Sequence, residues 1–275
     1  MSRTVGIIAE YNPYHNGHYY HMCKAKEKAN ADYCIAVISG NFTQRGEPSI
    51  VNKWSKAYMA ICGGADLVIE LPTVYSISSA ENFASGAIKI LNSLNIVDSV
   101  AFGAETEDLA ALNNIATVLY TEPKAYKNIL AHELDKGISF ATARENAVMM
   151  YLNDIKRYAN ILNESNNILA IEYLKALKTQ KSKIEPIAIK RQKVYYNETK
   201  IVDGFASATA IRKLIQRREF EDLRKVIPNS SYQILGQELR NGHVVLGLEQ
   251  YEKEIIFILR KMTIKEIADL PDVSE

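Results

Sequence analysis

Short apolar stretches alternate with longer helical ones along the first hundred residues. Four stretches have the length and composition of strands buried in a sheet: residues 5–9, 34–38, 67–71 and 99–102. The stretches between them predict helices: residues 17–29, with Asn16 as N-cap, 52–62 and 79–94. Strands that alternate with helices predict parallel βαβ units, and such a sheet binds ligands at the carboxyl ends of its strands.

The remainder of the chain is mostly helical. Residues 107–180 have helical character, residues 184–190 supply one more strand, and Ser207 opens another helix. The last part of the chain is charged and helical, without strands. We therefore predict an α/β fold, a Rossmann-like doubly wound parallel sheet with a helical C-terminal appendix. The predicted domains are a catalytic domain at 1–218 and a helical segment at 219–275.

The composition is that of an ordinary globular protein. Of 275 residues, 47% are hydrophobic and 24% are charged, and the net charge of +1 gives no general attraction to DNA or anionic membranes. No stretch of 18 apolar residues predicts a membrane span, and the apolar run at 5–9 is too short for a signal peptide. Cys23, Cys34 and Cys62 form no CxxC pair, which favours a reduced, cytoplasmic setting.

Residues 11–21, YNPYHNGHYYH, contain three of the five histidines. On one helix His15 and His21 would lie roughly 120° apart, so three ligands cannot converge and no metal site is predicted. The stretch follows a strand and leads into a helix, where free N–H groups and the helix dipole attract phosphate. Gly17 would let a nucleotide approach the backbone, while His15 and His18 donate to its phosphates. A capped loop with locally satisfied histidines is the alternative.

A second phosphate motif occurs late in the chain. HNGH at 15–18 resembles the HxGH motif of the nucleotidyltransferase superfamily, and SATAIR at 207–212 resembles its second motif, S-[ST]-x-x-[IL]-R. The resemblance implies a fold of the HxGH nucleotidyltransferase type. It also implies that Ser207, Thr209 and the N–H groups at this helix start hold the outer phosphates, and that Arg212 stabilises leaving pyrophosphate.

Seven longer segments narrow the resemblance. The chain contains GIIAEYNPYHNGH, SGNFTQRGEP, DLVIELP, FGAE, SNNILAIEYL, IKR and FASATAIR in the order and spacing of the bacterial tRNA(Met) cytidine acetate ligases. That resemblance covers nearly the whole chain. It implies ATP-dependent activation of acetate to acetyl-adenylate with release of pyrophosphate, then N4-acetylation of the wobble cytidine of elongator tRNA(Met). ATP is then a substrate accompanied by Mg²⁺, acetate and elongator tRNA(Met) are partners, and neither DNA nor a membrane is expected.

The resemblance also implies the site residues. Catalytic roles fall on His15, His18, Thr209 and Arg212. The implied ATP-binding residues are Ile7, Ile8, Ala9, Glu10, Tyr11, Asn12, Pro13, Tyr14, His15, Asn16, Gly17, His18, Tyr19, Tyr20, Gly103, Asn166, Asn167, Arg191 and Ser207. Simpler interpretations stay open at the later positions: a turn glycine at 103, helix caps at 166 and 167, and a solvated basic side chain at 191.

The loop after the second strand should line the same crevice. Arg45 and Lys53 could then meet RNA phosphates, and Tyr195 and Tyr196 are candidates for base stacking. Ordinary exposed cations and strand packing are the alternatives. Acetate is ionised at neutral pH, so its attack on ATP needs no general base. The sequence does not identify a proton acceptor for the later acetyl transfer.

Two other functions are compatible with both motifs. One is a cofactor nucleotidyltransferase that transfers an adenylyl group to a phosphorylated small molecule. The other is a non-catalytic nucleotide- or RNA-binding protein. Members of the resembled family continue with a further helical region beyond the segment that matches ADLPDVSE at the end of this chain. The chain is therefore expected to be a shortened member.

Overall fold

A sheet of five parallel strands forms the centre of the protein. The structure, a computed structural model, describes residues 2–191 and 204–270. The strand order is β3-β2-β1-β4-β5. The strands are β1 Thr4–Ala9, β2 Tyr33–Ser39, β3 Leu67–Leu71, β4 Ser99–Ala104 and β5 Glu185–Lys190. This confirms the predicted fold class, and each predicted strand agrees with the observed one to within two residues. The chain winds outward from β1 in both directions, so a crevice forms beside β1.

Helices cover both faces of the sheet. They are α1 Asn16–Ala29, α2 Lys53–Cys62, α3 Thr73–Ser76, α4 Ala80–Ser93, α5 Leu109–Thr121, α6 Lys124–Leu134, α7 Phe140–Leu152, α8 Ile155–Tyr158, α9 Ser165–Thr179, α10 Ala208–Gln216, α11 Phe220–Val226, α12 Asn229–Arg240, α13 Glu252–Lys261 and α14 Ile264–Ala268. In the described part of the chain, 3₁₀ turns occur at Ile161–Asn163 and Leu248–Tyr251. None of the helices in the described ranges is long and apolar enough to cross a membrane.

The sheet separates two hydrophobic cores. Successive side chains of a strand point to opposite faces, so the neighbours Ile7 and Ile8 belong to different cores. Ile8 packs with Phe83 of α4 and Leu174 of α9. Ile7 packs on the other side with residues of α1, α2 and α10, including Ile211. Burial on both faces explains why the strands are apolar along most of their length.

The helices that follow α10 differ in how they pack. Leu223, Val226 and Leu235 of α11 and α12 are buried in the same core as α1 and α10. By contrast, α13 and α14 contain no buried residue. The division into domains at residue 218 stays a prediction, and α11 and α12 extend the core of the preceding segment.

Candidate active site

A cavity of about 740 Å³ opens at the carboxyl ends of the central strands. It is bordered by Ala9 at the end of β1, Gly103 near the end of β4 and Lys190 at the end of β5. The beginnings of α1 and α10 face it from the same side of the sheet, with Gly17 and Thr209 both in its wall. The structure therefore brings the two predicted phosphate motifs together, and no side chain of residues 2–191 or 204–270 closes the cavity between them.

The cap of α1 differs from the predicted one. His15, not Asn16, is the N-cap: its backbone is extended and its ring Nδ1 accepts a hydrogen bond from the Gly17 N–H at 3.0 Å. Asn16 lies in the first turn, and its Nδ2 donates to the carbonyl oxygens of Gly204 at 2.9 Å and Lys225 at 3.0 Å. Because the Asn16 amide donates to these distant carbonyls, Asn16 connects α1 to the segment around α10. His15 caps the helix in its place.

Hydrogen bonds fix how the two motif histidines present their rings. His18 Nδ1 accepts from the His15 backbone N–H at 3.2 Å, so Nδ1 is an acceptor in both residues. A neutral imidazole with an accepting Nδ1 carries its proton on Nε2, which is then a donor. The rings stack with centroids 3.7 Å apart. Both residues line the cavity, so the beginning of α1 supplies two neutral N–H donors.

The surroundings keep these imidazoles neutral. Burial, and then the positive charge of Arg191, lowers the pKa of His15 to about 3. Burial followed by His15 and Arg191 lowers the pKa of His18 well below its usual value. His21, one turn along the helix, also lines the cavity, and burial and Arg191 lower its pKa to about 4. Removal from water disfavours the charged form of each ring.

The beginning of α10 supplies hydroxyl and guanidinium groups. Ser207 is the N-cap, and its Oγ accepts from the Ala210 N–H at 3.1 Å while its own hydroxyl proton stays available. Arg212 donates to Thr209 Oγ1 at 3.3 Å and to the Asn12 carbonyl at 3.2 Å. These contacts hold the guanidinium against the loop between β1 and α1. The late motif is thus oriented toward the early one.

The β4–β5 side of the cavity distinguishes two adjacent asparagines. Asn166 lines the cavity and accepts a hydrogen bond from Arg191 at 2.6 Å. Asn167 is buried behind it, and its Oδ1 accepts from the Glu105 N–H at 2.9 Å. Of the two candidates, only Asn166 is placed to touch a ligand. Gly103 also lines the cavity, where a Cβ would lie 3.3 Å from the Arg191 side chain.

The loop between β2 and α2 forms the opposite side of the cavity. Thr43, Gln44 and Arg45 line it, as expected for this loop. Lys56, which is fully buried in α2, holds the loop base by donating to the carbonyl oxygens of Ser39 at 2.8 Å and Gly40 at 2.9 Å.

Lys53, the other predicted RNA contact, does not border the cavity. It pairs instead with Glu70 of β3, with 2.7 Å between the ammonium and the carboxylate. Tyr195 and Tyr196 lie outside the described residues. Arg45 is therefore the predicted RNA contact that the structure brings to the cavity.

Several predicted ATP-binding residues lie outside the cavity wall. They are Ile7, Pro13, Tyr14, Asn16, Tyr19 and Asn167. A contiguous segment cannot point every side chain at one ligand, because successive strand residues face opposite sides. Tyr14, for example, is fully buried and donates its hydroxyl to the Gly63 carbonyl at 3.3 Å. Gly17 also has a local role, since a Cβ there would come within 2.9 Å of the His15 ring.

Some wall residues were not predicted. His21 belongs to the histidine stretch at 11–21, but the sequence predicted no binding or catalytic role for it. Phe83 of α4, Tyr173 of α9 and Phe205 before α10 supply apolar surface. Their contribution depends on how separate helices pack, and no local motif marks it.

The charge of the wall is positive overall. Among the described residues, five basic and two acidic side chains border the cavity, a formal balance of +3: Arg45, Lys190, Arg191, Arg212, Lys213, Glu10 and Glu47. Within the described ranges, no three histidine, cysteine, aspartate or glutamate side chains are grouped as a metal site. Neutral N–H donors, a guanidinium and two helix starts can hold a polyphosphate and stabilise charge that develops on it.

Comparisons with known proteins agree with this geometry. The model of the family described as HIGH Nucleotidyl Transferase matches residues 2–275. The chain is 47% identical to the tRNA(Met) cytidine acetate ligase of Caldanaerobacter subterraneus subsp. tengcongensis, over 94% of this chain and 64% of that protein. It is 45% identical to the tRNA(Met) cytidine acetate ligase of Acetivibrio thermocellus, over 99% of this chain and 67% of that protein. The chain thus spans about two thirds of the length of these relatives.

Solved structures show the same fold. A crystal structure of Thermotoga maritima TmcAL bound with alpha-thio ATP superposes with a TM-score of 0.90 at 36% identity, covering 99% of this chain and 64% of that one. A structure of Thermotoga maritima TmcAL without ligand gives a TM-score of 0.92 at 36% identity, covering 99% and 65%.

Proposed function

This chain belongs to the HIGH nucleotidyl transferase family and, within it, to the tRNA(Met) cytidine acetate ligase family, and on that premise we propose that it activates acetate with ATP and acetylates the wobble cytidine of elongator tRNA(Met). The observation that carries the proposal is the meeting of two helix starts at one cavity. His15 and His18 donate from α1, while Thr209 and Arg212 face them from α10.

In the first step, a carboxylate oxygen of acetate attacks the α-phosphorus of ATP and pyrophosphate leaves. Acetate is already ionised near pH 7, so the protein needs to position the reactants and stabilise charge rather than remove a proton. The Nε2–H groups of His15 and His18 are suited to the oxygens of the reacting phosphate. Arg212 and the N–H groups at the beginning of α10 are suited to the departing pyrophosphate.

Mg²⁺ is part of the proposal as a partner of the nucleotide. It is a hard cation that is commonly bound through substrate phosphates and one or two carboxylates. The described residues offer no ready-made metal site. The ion would therefore arrive on the triphosphate and reduce its charge, while the residues of α1 and α10 orient the complex.

In the second step, the N4 amine of cytidine attacks the acetyl carbon of acetyl-adenylate. The target base must leave its stack to enter the cavity. Arg45 lies exposed on the cavity rim, where it can meet a phosphate of the incoming RNA strand. The cavity volume of about 740 Å³ lies within the range of roughly 300–1,000 Å³ that is typical of small-molecule sites.

Isotope exchange between pyrophosphate and ATP tests the first step. We expect radiolabelled pyrophosphate to enter ATP only when acetate is present, because the reversal needs acetyl-adenylate. A cofactor nucleotidyltransferase would exchange in response to a phosphorylated acceptor such as nicotinate mononucleotide, and not to acetate. A binding protein would bind ATP without any exchange. Either of these results would overturn the assignment.

A further inference from the structure

The cavity has two chemically different sides, separated by β1. Gly103, Asn166 and Arg191 lie on the β4–β5 side, and they belong to the predicted ATP site. Glu10, which the resemblance placed among the ATP-binding residues, lies on the β2 side together with Thr43, Gln44, Arg45 and Glu47 of the loop. The family assignment does not say what this second side binds.

Glu10 is held in the wall by the loop beside it. Its Oε1 accepts a hydrogen bond from the Gln44 backbone N–H at 2.6 Å. Its Oε2 has no hydrogen-bond partner among the described residues, although the side chain borders the cavity. A carboxylate repels phosphate oxygens, so this oxygen is poorly placed for a triphosphate and well placed for a hydrogen-bond donor.

An unpartnered hydroxyl lies in the same wall. Thr43 is only 4% exposed, and its Oγ1 has no hydrogen-bond partner among the residues that the structure describes. Leaving a buried hydroxyl without a partner costs free energy, which a ligand recovers when it completes the bond. Phe83 of α4, a helix that packs against β2 and β3, adds flat apolar surface on this side, while Tyr173 lies farther along the wall against Phe102 of β4. One acceptor oxygen, one free hydroxyl and an aromatic wall suit an unstacked base.

Resting on the function proposed above, we propose that the β2 side of the cavity binds the acceptor cytosine and that Glu10 takes the proton from its N4 amine. Carboxylates recognise cytosine by accepting from N4, and the Thr43 hydroxyl can donate to an acceptor atom of the ring. Uracil presents an oxygen instead of the amine, which Glu10 would repel.

The proposed step is balanced. The N4 lone pair forms a bond to the acetyl carbon, and the bond from that carbon to the AMP phosphate oxygen breaks with its electron pair on AMP. The N4 proton passes to Oε2 of Glu10 and then to water. General bases of this kind typically contribute 10²–10⁴-fold to a rate.

The test compares the two half-reactions in Glu10→Gln, Glu10→Ala and Glu221→Gln. The glutamine oxygen at position 10 can still accept from the Gln44 N–H, so the loop stays in place while the base is lost. Glu221→Gln is the matched control, because it removes an exposed carboxylate of α11 that does not border the cavity. The first half-reaction is acetate-dependent pyrophosphate exchange. The second is acetyl transfer to a short anticodon-loop RNA at high concentration.

Glu10→Gln should slow acetyl transfer about a hundredfold, and at least tenfold more than it slows exchange. Glu10→Ala should slow both half-reactions more than Glu10→Gln does, because the loop also loses the carboxylate that accepts from the Gln44 N–H. Glu221→Gln should change each rate by less than about threefold.

Equal losses in the two half-reactions of Glu10→Gln would overturn the assignment of Glu10, as would unchanged transfer. Exchange without any transfer by the wild-type chain would overturn the acceptor subsite. Failure of the wild type to exchange would instead overturn the proposed function itself.

Discussion

Acidification should destabilise this protein through three histidines of the stretch at 11–21: His15, which is buried, and His18 and His21, which are partly buried. Burial lowers the pKa of His15 to about 3 and of His21 to about 4, and it lowers that of His18 well below its usual value. The imidazoles of the unfolded chain have an ordinary pKa near ~6.5. On acidification the unfolded chain therefore binds protons at pH values where the folded chain does not. The contribution of these neutral histidines to the free energy of unfolding is therefore fully present above about pH 7 and is lost as the pH falls from 6.5 toward 4.

The magnitude follows from the width of that window. At pH 5 an unfolded imidazole is almost fully protonated, whereas His21 in the fold is mostly neutral. The difference amounts to about 2 kcal/mol for His21 between pH 7 and pH 5, from ~1.36 kcal/mol per pKa unit. His15 contributes a similar amount. Protonation linked to these two histidines therefore lowers the free energy of unfolding by about 4 kcal/mol. That is a large part of the roughly 5–15 kcal/mol that is typical of a folded protein.

The assay is urea unfolding at pH 7 and pH 5 for the wild type and His21→Gln. Carboxylates also titrate in this range, but they contribute equally to both proteins and cancel in the comparison. The variant should lose about 2 kcal/mol less than the wild type on acidification. His132→Gln, which changes an exposed histidine of α6, is the matched control and should behave as the wild type does. If His21→Gln keeps the full pH dependence, the reasoning from burial is refuted.

Three further predictions concern single side chains. His18→Ala should lower the rate of pyrophosphate exchange about a hundredfold but ATP affinity less than tenfold, and comparable losses in both would argue against a role in the transition state. Asn16→Ala leaves two carbonyl oxygens without their donor and should cost about 1–3 kcal/mol in urea unfolding; an unchanged midpoint would show that this connection to α10 is unimportant. Burial lowers the pKa of Lys56 from 10.5 to about 8. The free energy of unfolding of the wild type should therefore rise by about 3 kcal/mol between pH 8 and pH 10.5, because the unfolded chain loses the proton that the folded chain has already lost. Lys56→Met should not show this rise.

The sheet was predictable from local patterns, whereas the cap of α1 was not. Each strand is a short apolar run between turn residues, and burial on both faces requires that pattern. Asparagine is a common N-cap, which made Asn16 the natural candidate. The amide of Asn16 is instead bound by carbonyls 188 and 209 residues away in the chain. A competition between a local and a distant partner cannot be read from the residues around position 16.

The candidate site divides in the same way. HNGH and SATAIR were predictable as phosphate-binding segments because each carries its chemistry within a few residues at a helix start. The distinction between Asn166 and Asn167 was not predictable, since either could cap α9. In the structure Asn166 lies at the cavity, whereas Asn167 accepts a hydrogen bond from the Glu105 backbone. Phe83 and Tyr173 are 90 positions apart in the chain, and only the packing of α4 against α9 brings both to one wall.

The two helix starts differ in charge, and the difference suits the proposed first step. The beginning of α10 carries Arg212, a permanent cation that attracts the triphosphate before reaction and the departing pyrophosphate during it. The beginning of α1 carries neutral N–H donors, because burial and Arg191 keep His15 and His18 unprotonated. A neutral donor attracts the ground-state phosphate less strongly than a cation does, and its hydrogen bond strengthens as charge accumulates on the oxygen it faces. Interactions that strengthen in the transition state raise the turnover rate, so the neutral histidines can accelerate adenylate formation without holding the ground-state triphosphate as tightly as a second arginine would.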